Sequence, residues 1–301
     1  MLRTRLRPCG LLALLAAEAA MAGDAQRSVT FPPYALEPAG QAQTVEVRAT
    51  SGGSEHGPSG RGTGGHRRSR RFALTTSAEQ RDAGPKMRII VERPGAYTLH
   101  SSNLMFDALF AQAIDDAHLD SVSSIRDAAY NAGQPIPCEC FETGEKWTYV
   151  WTRDLSYSAY LSLAVLDPLR VRNSLQFKVS PFRRGIAAPA GLPADSLQIV
   201  QDTGSGGSWP VSSDRMAWAL GADAVLKSLQ GAARAKFAAV AYRALRGSVE
   251  ADRAAIFDAS DGLYTGEQSF LDWREQTYAP YVVNDLTQLA QSKALSTNAL
   301  Q

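Results

Sequence analysis

Residues 141 to 166 of the 301-residue chain read FETGEKWTYVWTRDLSYSAYLSLAVL, where Arg153 and Asp154 stand among Trp147, Tyr149 and Trp151. Aromatic faces stack on the C–H faces of sugar rings, and a charged pair grips hydroxyls through charge-assisted hydrogen bonds. Carbohydrate recognition is the chemistry this combination suits. A purely structural alternative is that Asp154 caps the almost wholly apolar run behind it, which reads as a buried helix.

Two later stretches repeat the mixture of indole, acid and guanidinium. DTGSGGSWPVSSDRMAW places Trp209, Asp214 and Arg215 after glycines 204, 206 and 207. Those glycines allow close backbone approach to a ligand, but the lysine and spacing of a phosphate loop are missing. A capped helix with an ion pair is the alternative. GLYTGEQSFLDWREQTYAPY sets Glu267, Asp272, Arg274 and Glu275 among Tyr264, Phe270, Trp273, Tyr278 and Tyr281. On a helix Asp272 and Glu275, three apart, share a face. Desolvation by an aromatic can keep one carboxyl protonated while an arginine keeps the other ionised, the division of labour that general acid catalysis needs. Here too a helix with surface ion pairs is the alternative.

The string YVWTRD resembles the Trp-Thr-Arg-Asp signature of glucoamylase-type enzymes, members of the six-hairpin glycosidases, in which the Arg-Asp pair holds hydroxyls of the sugar at the cleavage site. The family carries a second loop with an Asp and an Arg at a helix start, and Asp214 follows Asp154 by sixty residues, a similar step. Its general acid lies in a motif ending Trp-Glu-Glu, whereas this chain has Trp273-Arg274-Glu275. LDWR is closer to debranching and trehalase-like relatives, which use an Asp before such a pair. The resemblance therefore implies Asp272 as proton donor, with Glu275 as second choice. It implies Trp151, Arg153, Asp154, Trp209, Asp214, Arg215, Trp273 and Arg274 as sugar-binding residues, an α-linked oligosaccharide or polysaccharide as substrate, and no cofactor. It also implies a second carboxyl, roughly 6.5–9.5 Å from the first in an inverting enzyme. In the family that group comes from near the end of the barrel. The chain stops at Gln301 within what reads as a helix, SKALSTNALQ, so the expectation is a truncated member that needs a complementing C-terminal segment, or else a carbohydrate-binding remnant without turnover.

The near-balanced charge, +1, argues against a nucleic-acid partner. Arg3, Arg5 and Arg7 precede GLLALLAAEAAMA, too short to span a bilayer and ending in Ala20-Met21-Ala22. That is the form of a secretory signal peptide over 1–22, although a retained short anchor has the same outline. Export to the periplasm or extracellular space follows from the first reading, with no membrane association after cleavage. Cys138 and Cys140 then meet an oxidising compartment, but two cysteines flanking one residue on an extended segment are poorly placed to bridge each other. With His56, His66, His100 and His118 scattered, metal-ligand spacing is lacking.

Residues 23–50 suggest a small extended or β segment. Residues 51–86 open with SGGSEHGPSGRGTGGHRRSRR, too polar to offset ordering entropy by burial, and read as a disordered linker. The cluster Arg67, Arg68, Arg70 and Arg71 suits a solvated linker or an acidic surface, and a shifted reading frame yields the same composition. From 87 to 301 the reading is a partial catalytic domain. It starts with a strand at MRIIV and a turn at Pro94-Gly95. Helices follow: one capped by Ser101 or Ser102 with apolar positions Leu104, Met105, Ala108, Leu109 and Ala111, and one capped by Ser121 over SIRDAAYNA. Next come the signature helix, a helix opening near Asp214, and ARAKFAAVAYRAL, broken at Gly247 and resumed with Ser248 as a cap. The expected fold is mainly α, an incomplete (α/α)6 toroid of helical hairpins after a small β-like region. Half a toroid would leave apolar faces such as that of 154–166 without partners.

Overall fold

The computed structural model describes residues 25–31, 43–51, 69–77, 85–126, 131–180, 196–199, 214–267 and 285–301. The chain divides into two compact units, Met1–His118 and Leu119–Gln301. It is mainly α with small antiparallel sheets. Among the described residues no helix is long and apolar enough to cross a membrane. The leader segment 1–22 lies outside the described residues.

The first unit is an antiparallel sheet in the order β1 (Ala25–Phe31), β2 (Gln43–Ser51), β3 (Arg70–Thr76), β4 (Met87–Val91), with helix α1 (Leu104–Leu119). Alternation along the strands sends Val47, Ala49, Phe72, Leu74 and Ile90 to one face, where they cluster with Ala108 and Ala111 of α1. Burial of each large side chain there stabilises by about 1.5–3 kcal/mol. β3 corrects the linker reading over part of 51–86. Its apolar residues Phe72 and Leu74 are two apart, and pairing with β2 and β4 supplies the burial that local composition does not. Residues 52–68 lie outside the described residues.

Arg70 is likewise no linker charge. Its guanidinium meets Glu92 at 2.5 Å and Asp107 at 2.7 Å, donates to the Leu99 carbonyl, and lies 5.0 Å from the Phe72 ring centroid. The cap of α1 is Asn103, whose Oδ1 accepts from the amides of Met105 and Phe106. Ser101, one of the two expected caps, instead gives its amide and hydroxyl to Asp107 at 2.8 and 2.7 Å. Leu109, assigned to the apolar stripe, is exposed, and the buried positions are Asp107, Ala108 and Ala111. Burial opposes ionisation of Asp107, but the Ser101 hydroxyl and amide and the Arg70 guanidinium outweigh it and hold the carboxyl below its ordinary value. A carboxyl depressed in the folded state contributes stability that is present above the unfolded pKa, about 4, and lost as pH falls through the folded value. Asp107→Asn should therefore lower the melting temperature at pH 7 and shrink its fall between pH 5 and pH 2, read by circular dichroism at stepped pH.

The second unit starts with a hairpin of β5 (Ser121–Ile125) and β6 (Ile136–Phe141). The helix expected after Ser121 is thus a strand over its first residues; Val122 and Ile125 find partners in Cys140 and Ile136, a pairing that local capping signals do not report. Cys138 and Cys140 are joined by a disulfide, against expectation. Glu139 between them adopts φ 48°, and this bend brings the two Cα atoms to 5.2 Å, within bridging range.

Helix α2 (Thr152–Ser158) runs on through a π turn, Ala159–Leu163, and a last turn, Ala164–Leu166. α3 (Pro168–Phe177) follows, capped by Asp167, whose side chain accepts from the Arg170 amide. β7 (Val179–Ser180) pairs with β8 (Gln198–Ile199). α4 (Asp214–Ser228) and α5 (Gly231–Ile256) form a helical hairpin over Leu229 and Gln230, and β9 (Phe257–Asp258) with β10 (Leu263–Tyr264) makes a short hairpin closed at Gly262, φ +77°. α6 (Leu286–Gln291) and α7 (Leu295–Leu300) end the unit. α5 is unbroken at Gly247, and Ser248 is no cap: its hydroxyl accepts from the Ile199 amide at 2.9 Å.

The core is Leu155 and Ala159 of α2, Val171 and Leu175 of α3, and Trp218 of α4 with Phe237 of α5, all buried. Trp218 donates its indole N–H to the Leu175 carbonyl at 3.1 Å, satisfying its polar atom. Gly221 lets α4 approach α2 and α3: a Cβ there would stand 3.2 Å from both Ser156 Cα and Leu175 Cδ2. On the other side of the signature segment Tyr160, Leu161 and Val165 are 54%, 76% and 71% exposed, so the segment is buried on one face only, a correction to its reading as a buried helix.

Candidate aromatic and charged site

The signature segment enters α2 from a tight turn, with an isolated bridge between Gly144 and Trp147. Thr143 organises it. Its amide and hydroxyl both donate to the Tyr149 carbonyl, and its Oγ1 accepts from the Trp151 amide at 3.2 Å. The turn lines up three rings edge to face, Trp147 with Trp151 at 6.1 Å and Tyr149 with Trp151 at 6.2 Å, while Tyr149 also meets Phe177 of α3 at 6.0 Å. Trp147 is exposed, Trp151 half-buried and Tyr149 buried, so the group runs from the surface into the core.

At its inner end is Lys178, fully buried, with Nζ 4.4 Å from the Tyr149 ring centroid and 3.3 Å from its hydroxyl. The cation and the ring face attract, and the phenol accepts the ammonium's hydrogen bond. Sequence reasoning missed Lys178 because one lysine after NSLQF carries no local signal of burial.

Asp154 is not the N-cap. Trp151 occupies that position without a side-chain cap, and Asp154 lies exposed in the first turn, where a negative charge suits the helix dipole. Arg153, mostly buried, points its Nη1 to within 3.9 Å of Glu267 Oε1. Glu267 is 1% exposed and lies just beyond β10, after Thr265 and Gly266. The contact joins the first motif to the start of the third. Glu267 belongs to a stretch already notable for its carboxylates, but nothing local marks it for burial beside Arg153.

Arg215, read as a sugar contact, is 2% exposed, and its Nε donates to both carboxylate oxygens of Asp252 on α5 at 2.7 and 2.8 Å. Among the described residues it therefore pairs with an acid of this chain and lies buried. α4, which opens with the second motif, packs against α2, so the signature helix touches elements of both other motifs. Trp209, Asp272, Trp273, Arg274 and Glu275 lie outside the described residues, as does the Asp214 side chain.

Among the described residues no three His, Cys, Asp or Glu side chains gather closely enough to hold a metal ion. Elsewhere in the unit, Lys293 bridges Asp258 at 2.6 Å and Asp261, and its ammonium, with the Ser260 hydroxyl and amide, pushes the Asp258 carboxyl far below its ordinary value. That cluster closes the β9–β10 hairpin. No family model, no curated protein and no solved structure matches the chain.

Proposed function

We propose that the chain is a carbohydrate-active protein of the six-hairpin glycosidase type, acting on an α-linked oligosaccharide, with its helical hairpins part of an (α/α)6 arrangement. The observation that carries this is the graded ring cluster Trp147–Trp151–Tyr149 with Arg153 two residues on, held beside buried Glu267. Rings at the surface provide stacking area, and an oriented guanidinium next to them provides donors for hydroxyls, the pairing that sugar recognition requires. Asp272 is the proposed general acid and Asp154 a hydroxyl acceptor. Export through the leader at 1–22 is part of the same proposal.

Two measurements test it. Titration with maltotriose should change the intrinsic tryptophan fluorescence, and Trp151→Ala should weaken the fitted affinity about five- to tenfold, the equivalent of roughly 1 kcal/mol of lost stacking. Reducing-sugar release from a panel of α-glucosides should be lost in Asp272→Asn. Retained release in that variant, with loss in Glu275→Gln, moves the acid to Glu275. Binding without release by the unaltered chain would leave a carbohydrate-binding protein, and a failure to bind any of the panel ends the proposal.

A further inference from the structure

We infer that the Cys138–Cys140 disulfide is a thiol-exchange site, opened and re-formed in the folded chain by low-molecular-weight thiols such as glutathione. Cys138 is the sulfur attacked, and the backbone of Glu139 sets the balance between the two states.

The bridge closes over a single residue. Stabilisation by a cross-link grows with the length of the loop it closes, so a bond over one residue gains little from constraining the unfolded chain. It also makes a demand on the backbone. Glu139 sits at φ 48°, in the left-handed region that a residue with a side chain enters only at a cost. The register of β5 and β6 accommodates the bend: Val122 pairs with Cys140 and Ser124 with Pro137, so Cys138 and Glu139 together face Ser123 alone, as a bulge. The hairpin has other anchors. Arg170 Nη1 donates to the carbonyls of Val122 at 2.9 Å and Cys140 at 3.2 Å, and the Phe141 amide donates to Ser174 Oγ at 2.8 Å. These bonds let α3 grip both strands whether or not the sulfurs are joined. Opening the bridge therefore relieves Glu139 while the fold stays in place.

Access decides which sulfur reacts. Cys140 is 0% exposed, whereas Cys138 is half-buried beside exposed Glu139. A thiolate arriving from solvent attacks Sγ of Cys138: a new S–S bond forms there, the Cys138–Cys140 bond breaks, and Cys140 leaves as a thiolate that takes up a proton. A second thiol attacks the mixed disulfide and frees Cys138. The sum converts one protein disulfide and two thiols into two cysteine thiols and one oxidised thiol pair, and oxidised glutathione runs it backwards.

The test is equilibration of the full chain in glutathione buffers of stepped oxidised-to-reduced ratio. Acid quenching, alkylation and tandem mass spectrometry of the peptide read the bond, and circular dichroism reads the fold. Oxidised and reduced chains should both be populated across the series with the fold retained, and the trapped glutathione adduct should lie on Cys138. Glu139→Gly accepts the bend freely and Glu139→Val resists it, while both lose the same carboxylate. Their equilibrium constants for disulfide formation should therefore differ about tenfold in favour of the glycine variant. The competing account is that Asn173, whose Nδ2 donates to the Glu139 carbonyl at 3.3 Å, imposes the bend in both redox states. The two variants would then differ in melting temperature and not in redox equilibrium. The unaltered chain decides the question should neither variant fold. Equal constants in the two variants overturn the inference, as does an adduct on Cys140 or a bond that stays closed until the chain unfolds.

Discussion

Asp252→Ala should destabilise the C-terminal unit by about 3–5 kcal/mol, the penalty for removing one member of a buried ion pair. Arg215 and Asp252 are 2% and 0% exposed, and both carboxylate oxygens receive the arginine Nε. Oδ2 also accepts from the side-chain Nε2 of Gln301 at 2.9 Å, so the same acid ties α4, α5 and the residue after α7. The loss should show as a lower urea midpoint with an unchanged slope. Arg215→Met combined with Asp252→Leu should recover most of it, because replacing both charges removes the desolvation cost together with the attraction. A loss of less than about 1 kcal/mol in the single variant, the range of an exposed pair, would mean that the ion pair does not brace the unit.

That pair shows what a sequence can and cannot announce. Arg215 stood in a motif rich in acid and indole, and chemistry was a natural assignment; Asp252, thirty-seven positions on in a run of helix formers, carried no sign that it would meet it. Features written locally were legible: the strand at Met87–Val91 with its Pro94-Gly95 turn, the helices after Asn103 and from Asp214, and the helix at the chain's end. Features written in a distant partner were not. β3 is a strand because β2 and β4 flank it, and Ser121–Ile125 is one because Ile136–Phe141 pairs with it. The aromatic half of the candidate site was legible from composition alone. Its charged half was legible only as far as Arg153 and Asp154, since burial singles out Glu267 and Lys178 and burial is a property of the assembled unit.

Gly247 is the sharpest case of a residue whose local meaning is the reverse of its tertiary one. As a glycine between two good helical runs it reads as a break, and an isolated helix would gain about 0.8–1.0 kcal/mol from alanine there. In the folded chain it lies inside a helix of 26 residues, where a Cβ would fall 2.0 Å from the Leu197 carbonyl oxygen and 2.5 Å from Ser196 Oγ. The first of these is backbone and cannot rotate away. Gly247→Ala must therefore push the 196–199 segment off α5, weakening the Ile199 amide bond to Ser248 and the β7–β8 pair behind it. The steric cost should outweigh the helical gain and leave a net loss of about 3 kcal/mol. Gly221→Ala meets its neighbours at 3.2 Å, and one of them, Leu175 Cδ2, can shift; it should cost about 1 kcal/mol or less, at the low end of overpacking. Thermal unfolding of the two variants side by side separates the explanations. Helix propensity alone would raise both melting temperatures, whereas close approach lowers that of Gly247→Ala far more than that of Gly221→Ala; equal shifts, or a gain at 247, would remove the contact with Leu197 as the reason glycine is there.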